Sequence, residues 1–376
     1  MQIISLKKKF LFWVILFFIS LIIWLSIDLV STRIFLKFEN QNIFSRIPSN
    51  IFHHNFDNNV NVIEDNSRFR NTRLITNSIG FRDKKVRKIN KETTKYRIVF
   101  IGDSFTEGVL LDYEESFVGL IDNKLKDYNI EVLNAAVSSY SPSIYFAKIN
   151  HFLNKNYKFD EIIVYIDIGD ITDETFEDRL KISKMLDLSE KPGYSSYVVF
   201  LKKNLVITYN ILNWISDWIY SERTPPHDEE KVDEFILDVV SGKKYKKGNW
   251  TINNNSFEKY KDGLDKSLKY MSLLKDLCNE NNIKLTIAVY PHFTQIYHND
   301  LDSLQVKIWQ KFSLENNVNF INYFPYFIEN KSPLEKRMSV IKKYFIPFDI
   351  HHNKEGSKIM ANVFLERYMP IIENHN

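Results

Sequence analysis

Three residues in two short segments of this 376-residue chain are of types that together can break an ester. Ser104 stands in "RIVFIGDSFTEG", Arg97 to Gly108, where an apolar strand-like run passes into a turn of small residues. Asp349 and His351, with His352 directly after, stand in "FIPFDIHHNKEGSKIMA" near the carboxyl end. A serine hydroxyl is a weak nucleophile near neutral pH and needs a base within hydrogen-bond reach, itself held by a third group. Residues two apart share a face in extended chain, so Asp349 can orient His351, whereas a turn would pair it with His352. The competing reading of Ser104, or of Thr106, is a helix cap.

Other chemistries find less support. A Gly-x-Ser-x-Gly elbow would need glycine where Thr106 stands, and a phosphate-cradling loop would need Gly-Lys-Ser/Thr. His53, His54, His151, His227, His292 and His298 lack a carboxylate neighbour at comparable spacing and read as surface or packing residues. The adjacent His351 and His352 have no second ligand cluster beside them, so no metal and no cofactor is expected. Asp167, Asp170 and Asp173 read as solvated carboxylates at a strand end rather than as a cation site. Cys278 is the lone cysteine, which excludes an intrachain disulfide and a thiolate cluster. With 50 basic against 47 acidic residues, a net charge of +3 and no basic stripe, nucleic acid is not an expected partner.

The elements that must position these residues are legible from Arg97 onward, where short apolar runs alternate with longer amphipathic ones. Strands are expected at 97–101, 130–135, 161–168, 284–290 and 317–323, and helices at about 115–127, 143–155, 257–281 and 301–316 and after Asn353. Five parallel strands between helical layers make a three-layer α/β/α sandwich, in which ligands bind beyond the carboxyl ends of the strands. Ser104 directly follows the first of them.

The amino-terminal 1–37 reads as a membrane anchor. Phe10 to Ile27, "FLFWVILFFISLIIWLSI", is long enough to span a bilayer at about 10–30 and follows Lys7, Lys8 and Lys9. No small-residue cleavage site follows, which favours a retained anchor over a signal peptide. The three lysines place the amino terminus in the cytoplasm and the rest outside, in the periplasm or on the cell surface, as a single-pass protein. Residues 38–95 have the composition of a linker and docking segment that packs only in part, with "TNSIGFRD", Thr76 to Asp83, as a turn tucked against the domain or lying on its surface. Residues 96–376 form the main domain, interrupted at about 172–255 by a helical insertion or lid. Within it the aromatic run Tyr197 to Tyr220 is expected to pack against the sandwich, the alternative being the membrane interface beside the anchor.

The sequence from about Thr76 to the carboxyl end resembles the SGNH/GDSL hydrolase superfamily, whose first block is matched by "GDSFTEG" and last block by "DIHHNKEG". The resemblance implies a flavodoxin-like sandwich with Ser104 as nucleophile and a catalytic Asp349–His351 pair. His352, which the Asp-x-x-His form of the block would select, is the alternate base. It also implies an oxyanion hole from the backbone of Ser104, of Ala136 in "VLNAAVSSYSP" and of the third block. There the usual Gly-x-Asn-Asp is matched by Asp167-Ile168-Gly169-Asp170, so Gly169 offers no side-chain amide; Asn134 and Asp170 are the alternates. Members include esterases, lipases, thioesterases, carbohydrate O-deacetylases and O-acyltransferases. The expected function is a membrane-anchored serine esterase acting on a small-molecule or glycan ester, an O-acyl (acetyl) group on a cell-envelope carbohydrate. Two other readings stand beside it: an O-acyltransferase to surface polysaccharide, and a non-catalytic glycan-binding or envelope-assembly domain.

Overall fold

A computed structural model describes residues 2–39, 46–64, 69–185, 200–201, 204–221, 229–252 and 257–373. The chain divides into two compact units, residues 1–44 with 191–224, and residues 45–190 with 225–376.

Among the described residues the larger unit has nine strands: β1 (Arg46–Ser49), β2 (His53–Phe56), β3 (Asn61–Glu64), β4 (Thr72–Ile75), β5 (Tyr96–Ile101), β6 (Ile130–Asn134), β7 (Glu161–Ile166), β8 (Lys284–Val289) and β9 (Asn319–Asn322). Strands β5 to β9 form one parallel sheet in the order β6-β5-β7-β8-β9. This is the 2-1-3-4-5 order of flavodoxin-like folds, and it is the expected sandwich. Four of the five strands fall inside the expected runs and β5 begins one residue before its run, at Tyr96, because a parallel sheet covered on both faces requires near-continuous apolar segments. Strand β7, Glu-Ile-Ile-Val-Tyr-Ile, is buried at every position.

Helices fill both faces. Phe117–Leu125 packs with the last helix, Lys354–Glu373, and Phe100 of β5 meets an aromatic ring from each, Phe117 and Phe364. Pro142–Asn154 and Asp170–Phe176 pack against Lys261–Glu280, which buries Cys278. The sheet reverses order at β5, so the turn after that strand opens into the crevice where such sheets bind ligands.

Residues 46–64 and 69–91 are more buried than a linker composition suggests. Strands β1–β2 and β3–β4 form two antiparallel hairpins, and Phe52, Phe56, Val60, Leu74, Ile79, Phe81 and Ile89 enter the main core. "TNSIGFRD" is the point of attachment. Gly80 has φ +70°, and a Cβ there would stand 2.5 Å from the Phe56 carbonyl oxygen, so only glycine fits this turn. The turn aims Arg82 inward, where its backbone N–H donates to Asn134 O at 3.0 Å and its guanidinium to the carbonyls of Glu107 (2.5 Å), Gly108 (2.7 Å) and Leu111.

The insertion at 172–255 is divided between the units. Arg179–Met185 and Glu229–Val240 belong to the larger unit and Val206–Ser221 to the smaller, while 186–199, 202–203, 222–228 and 253–256 lie outside the described residues. The smaller unit holds the N-terminal helix Gln2–Glu39. Its stretch Lys8–Ile34, with a mean hydropathy of 2.8, is long and apolar enough to cross a membrane. Of the aromatic run Tyr197 to Tyr220, residues 197–199 and 202–203 lie outside the described residues, and Val206–Ser221 packs against the N-terminal helix within the smaller unit.

Candidate active site

Strand β5 ends at Ile101, and the chain turns through Gly102 and Asp103 into the short helix Ser104–Glu107. A Cβ on Gly102 would lie 2.3 Å from Thr106 Oγ1 and 2.9 Å from Tyr165 O, so the turn presses on β7 as only glycine can. The cap of this helix is Asp103, whose Oδ1 accepts the Phe105 N–H at 3.0 Å. The hydroxyl of Ser104 is therefore not the cap. It stands 2.7 Å from His351 Nε2, and His351 Nδ1 stands 2.5 Å from Asp349 Oδ1. Asp349 Oδ1 also accepts the His351 backbone N–H at 2.9 Å, which fixes the two-residue loop.

The structure thus brings together Ser104, His351 and Asp349 from opposite ends of the sequence. Burial opposes charge on His351, but the Asp349 carboxylate, with Asp103 and Glu107 behind it, raises its pKa above the ordinary imidazole value. Burial likewise pushes Asp349 up, and its bonds from His351 more than reverse this and hold it low. An ionised Asp349 beside Nδ1 leaves Nε2 as the nitrogen that can take a proton from Ser104.

His352, the alternate base, is placed elsewhere. It is buried among Phe105, Tyr290, Phe327 and Phe345, stacked on Phe327 at 5.3 Å, and its Nε2 has no partner among the described residues. Burial, aided by His292 and His351, lowers its pKa to about 3, so it is a neutral packing residue.

The three oxyanion-hole positions differ in availability. The Ser104 N–H lies in the first turn of its helix, where no intrahelical acceptor exists. The Ala136 N–H donates to Asn134 Oδ1 at 3.1 Å, and the Gly169 N–H to Asp167 Oδ1 at 2.6 Å. Asn134 gives its own amide to Thr106 O at 2.8 Å, so this alternate donor is a strand-end residue tying two loops together. The missing side chain at Gly169 leaves no vacancy, since a Cβ there would meet Asp167 Oδ1 at 2.8 Å and Lys247 Cδ at 3.3 Å. Lys247 comes from the insertion and ion-pairs with Asp173.

The aspartates expected at a solvated strand end are buried. Asp170, the other alternate, accepts from Tyr145 Oη at 2.8 Å and from the Asp167 N–H at 3.2 Å; burial, with Asp167 and Asp103 nearby, pushes its pKa well above the usual carboxylate range. Asp173 is tied to Lys247 and Arg179. Asp167 accepts from His292 Nε2 at 2.5 Å and from Tyr290 Oη at 3.0 Å. Burial raises Asp167, but His292 outweighs it and holds the carboxyl ionised.

His292 is the residue the sequence reading missed. Its ring lies tilted 4.6 Å from Phe105, which also meets His351 at 4.8 Å and His352 and Tyr290 at 5.1 Å. Tyr290 Oη links Asp167 to Asp103 Oδ1 at 3.2 Å, and Asp103 Oδ2 lies 3.2 Å from Ser104 Oγ. Burial and the charge of Asp167 raise Asp103 to about 7, partly offset by His351. A histidine three residues past the β8 terminus, facing the same strand ends as Ser104, was the available signal.

Solved structures with a similar fold come next to this geometry. The psychrotrophic esterase EstA from Pseudoalteromonas sp. is 11% identical, with a TM-score of 0.38 over 74% of this chain and 100% of its own. A member of the lipolytic G-D-S-L family from Veillonella parvula is 12% identical, with a TM-score of 0.38 over 73% and 98%. The acetylxylan esterase Axe2 from Geobacillus stearothermophilus is 11% identical, with a TM-score of 0.38 over 74% and 95%. No family model matches the sequence, and no curated protein matches it.

Proposed function

We propose that this chain is a membrane-anchored serine esterase. The observation that carries the reading is the continuous run from Ser104 Oγ through His351 to Asp349 at 2.7 and 2.5 Å. In this mechanism His351 Nε2 takes the Ser104 proton as Oγ attacks the ester carbonyl, and Asp349 stabilises the imidazolium. The Ser104 N–H meets the oxyanion. His351 returns the proton to the departing alkoxide, and water then enters by the same base and frees the acid. With the Ala136 and Gly169 amides occupied by side chains, the hole is short of donors, and each absent donor costs about 10²–10³ in rate. Slow turnover on simple esters follows.

The substrate we favour is an O-acyl group on an envelope carbohydrate, because an anchored domain outside the cytoplasm works at that surface. Retention of the anchor is supported by Asp28. Its buried carboxylate accepts the N–H groups of Ile207 and Thr208, and a cleaved leader would leave that helix end uncapped. Labelling with a fluorophosphonate and mapping the adduct tests the chemistry: modification at Ser104 supports it, and a folded protein that takes no label overturns it. A reporter fused after Asn376 tests the location, and a cytoplasmic signal removes the envelope substrate.

A further inference from the structure

The smaller unit contains a contact that the esterase reading does not use. Asp28 follows the apolar run Phe10–Ile27, which as helix measures roughly 27 Å, close to the thickness of a hydrocarbon core. The Asp28 carboxylate reaches across to the first turn of Val206–Ser221, with Ile207 N at 3.0 Å from Oδ1 and Thr208 N at 2.7 Å from Oδ2. Thr32 Oγ1 accepts the Val206 N–H at 2.9 Å while donating to Asp28 Oδ1 at 3.1 Å, and Trp24 Nε1 donates to Thr208 Oγ1 at 3.0 Å. An acid from one helix thus caps another, which fixes the amino end of Val206–Ser221 at the carboxyl boundary of the apolar run.

From that end the helix presents Ile211, Leu212, Trp214 and Ile215 as exposed large apolar residues, with Trp214 at 69%. At helical spacing these four lie on one broad face with Ile207. The exposed side chains of Phe10 to Val30 on the N-terminal helix form the adjoining apolar surface.

We propose that Val206–Ser221 is a membrane-interface helix, pinned through Asp28 at the level of the lipid headgroups, with Ile211, Leu212, Trp214 and Ile215 in the acyl boundary. This rests on the reading of the N-terminal helix as an anchor. A tryptophan among aliphatic residues suits the interfacial layer, and Asn210 in the helix argues against a second full span. Asp28 is tolerated at the edge of the bilayer because backbone N–H groups and a hydroxyl satisfy it.

The test uses the full-length protein with Cys278→Ser, carrying single cysteines at Trp214→Cys, Ile215→Cys, Ile19→Cys or Leu314→Cys. Each is labelled with an environment-sensitive fluorophore in vesicles of phosphatidylcholine and phosphatidylglycerol. Spin-labelled lipids with the label near the headgroup should quench positions 214 and 215, and those with the label deep in the chain should quench position 19. Neither should quench position 314. Asp28→Ala should reduce the quenching at position 214 by about half or more without changing position 19. Quenching at 19 with none at 214 and 215 overturns the interface helix and leaves the anchor standing, including the case in which the probes are shielded by protein. Quenching at 214 and 215 without 19 overturns the anchor and keeps the lipid contact, and quenching at neither overturns both.

Discussion

Two histidine–aspartate pairs flank the ring of Phe105, and both have a nitrogen 2.5 Å from a carboxylate oxygen. They differ in what Nε2 meets. His351 turns Nε2 to Ser104 Oγ, and Asp349 stands behind it on the same short loop. His292 spends Nε2 on Asp167, which is itself bound to the Gly169 N–H and to Tyr290. The first pair is arranged to exchange a proton with a neighbour; the second is a hydrogen-bonded pair that joins the loop after β7 to the loop after β8. A short contact between imidazole and carboxylate therefore does not by itself mark a catalytic base. What sets His351 apart is a serine hydroxyl 2.7 Å from the nitrogen its carboxylate leaves open.

The sharpest way to break this contrast is to remove each member in turn. Ser104→Ala and His351→Ala should each lower p-nitrophenyl acetate turnover by about 10³-fold or more and abolish acyl-enzyme detectable by mass. His292→Ala should cost about tenfold or less, through loss of loop order and not of the base. Equal losses at His292 and His351 would erase the distinction. Because the Asp349 carboxylate raises His351, the ascending limb of kcat/KM against pH should have its midpoint above the ordinary imidazole value of 6.5. Asp349→Asn should move that midpoint downward, and an unmoved limb would assign it to another group.

A smaller effect separates His352 from both pairs. Its pKa falls to about 3 in the folded protein against 6.5 for a free imidazole, so the unfolded chain binds the proton first. The stability this histidine contributes is complete above pH 6.5 and is lost as pH falls toward 3. Asp103, raised to about 7, works in the opposite sense over part of that window, gaining as pH falls below 7. His352→Phe should thus retain esterase activity, and its stability relative to wild type should rise as chemical unfolding is repeated from pH 6.5 down to pH 4. A difference that stays flat with pH would return a charge to His352.

What the sequence made legible follows from the range of the signal. Strands β5 to β9 could be read because each is a local apolar run, and Asp349 and His351 because they share a loop and a face. The pairing of His292 with Asp167 spans 125 residues, and no spacing rule reaches so far. The burial of Asp167, Asp170 and Asp173 was hidden for a related reason: the tyrosines and cations that receive them come from separate elements. Asp28 and Thr208, 180 residues apart, show the same limit. The polar composition of 46–91 concealed its seven core residues, which are spread too thinly for any window to register.

The grip of Arg82 on the carbonyls of Glu107, Gly108 and Leu111, at and beyond the end of the Ser104–Glu107 helix, bears on how the protein can be cut. Glu107 in that helix is held in turn by Arg46 and by the N–H and hydroxyl of Ser138, at 2.5, 2.6 and 2.8 Å. Lys148, buried and held well below the usual lysine range by that burial, joins Asn55 to the Ala135 carbonyl at 2.7 and 2.8 Å. A fragment beginning at the first sheet strand would keep Ser104, His351 and Asp349 and yet lose these three braces, leaving a buried glutamate and a buried amine without their counterparts. Proteolytic nicking between Asp83 and Tyr96 is therefore a different injury from truncation there, because a nicked chain can stay clasped. A recombinant domain should start upstream of Arg46, and the loop near residue 90 is the place to insert a cleavage site whose opening reports on how firmly the clasp holds.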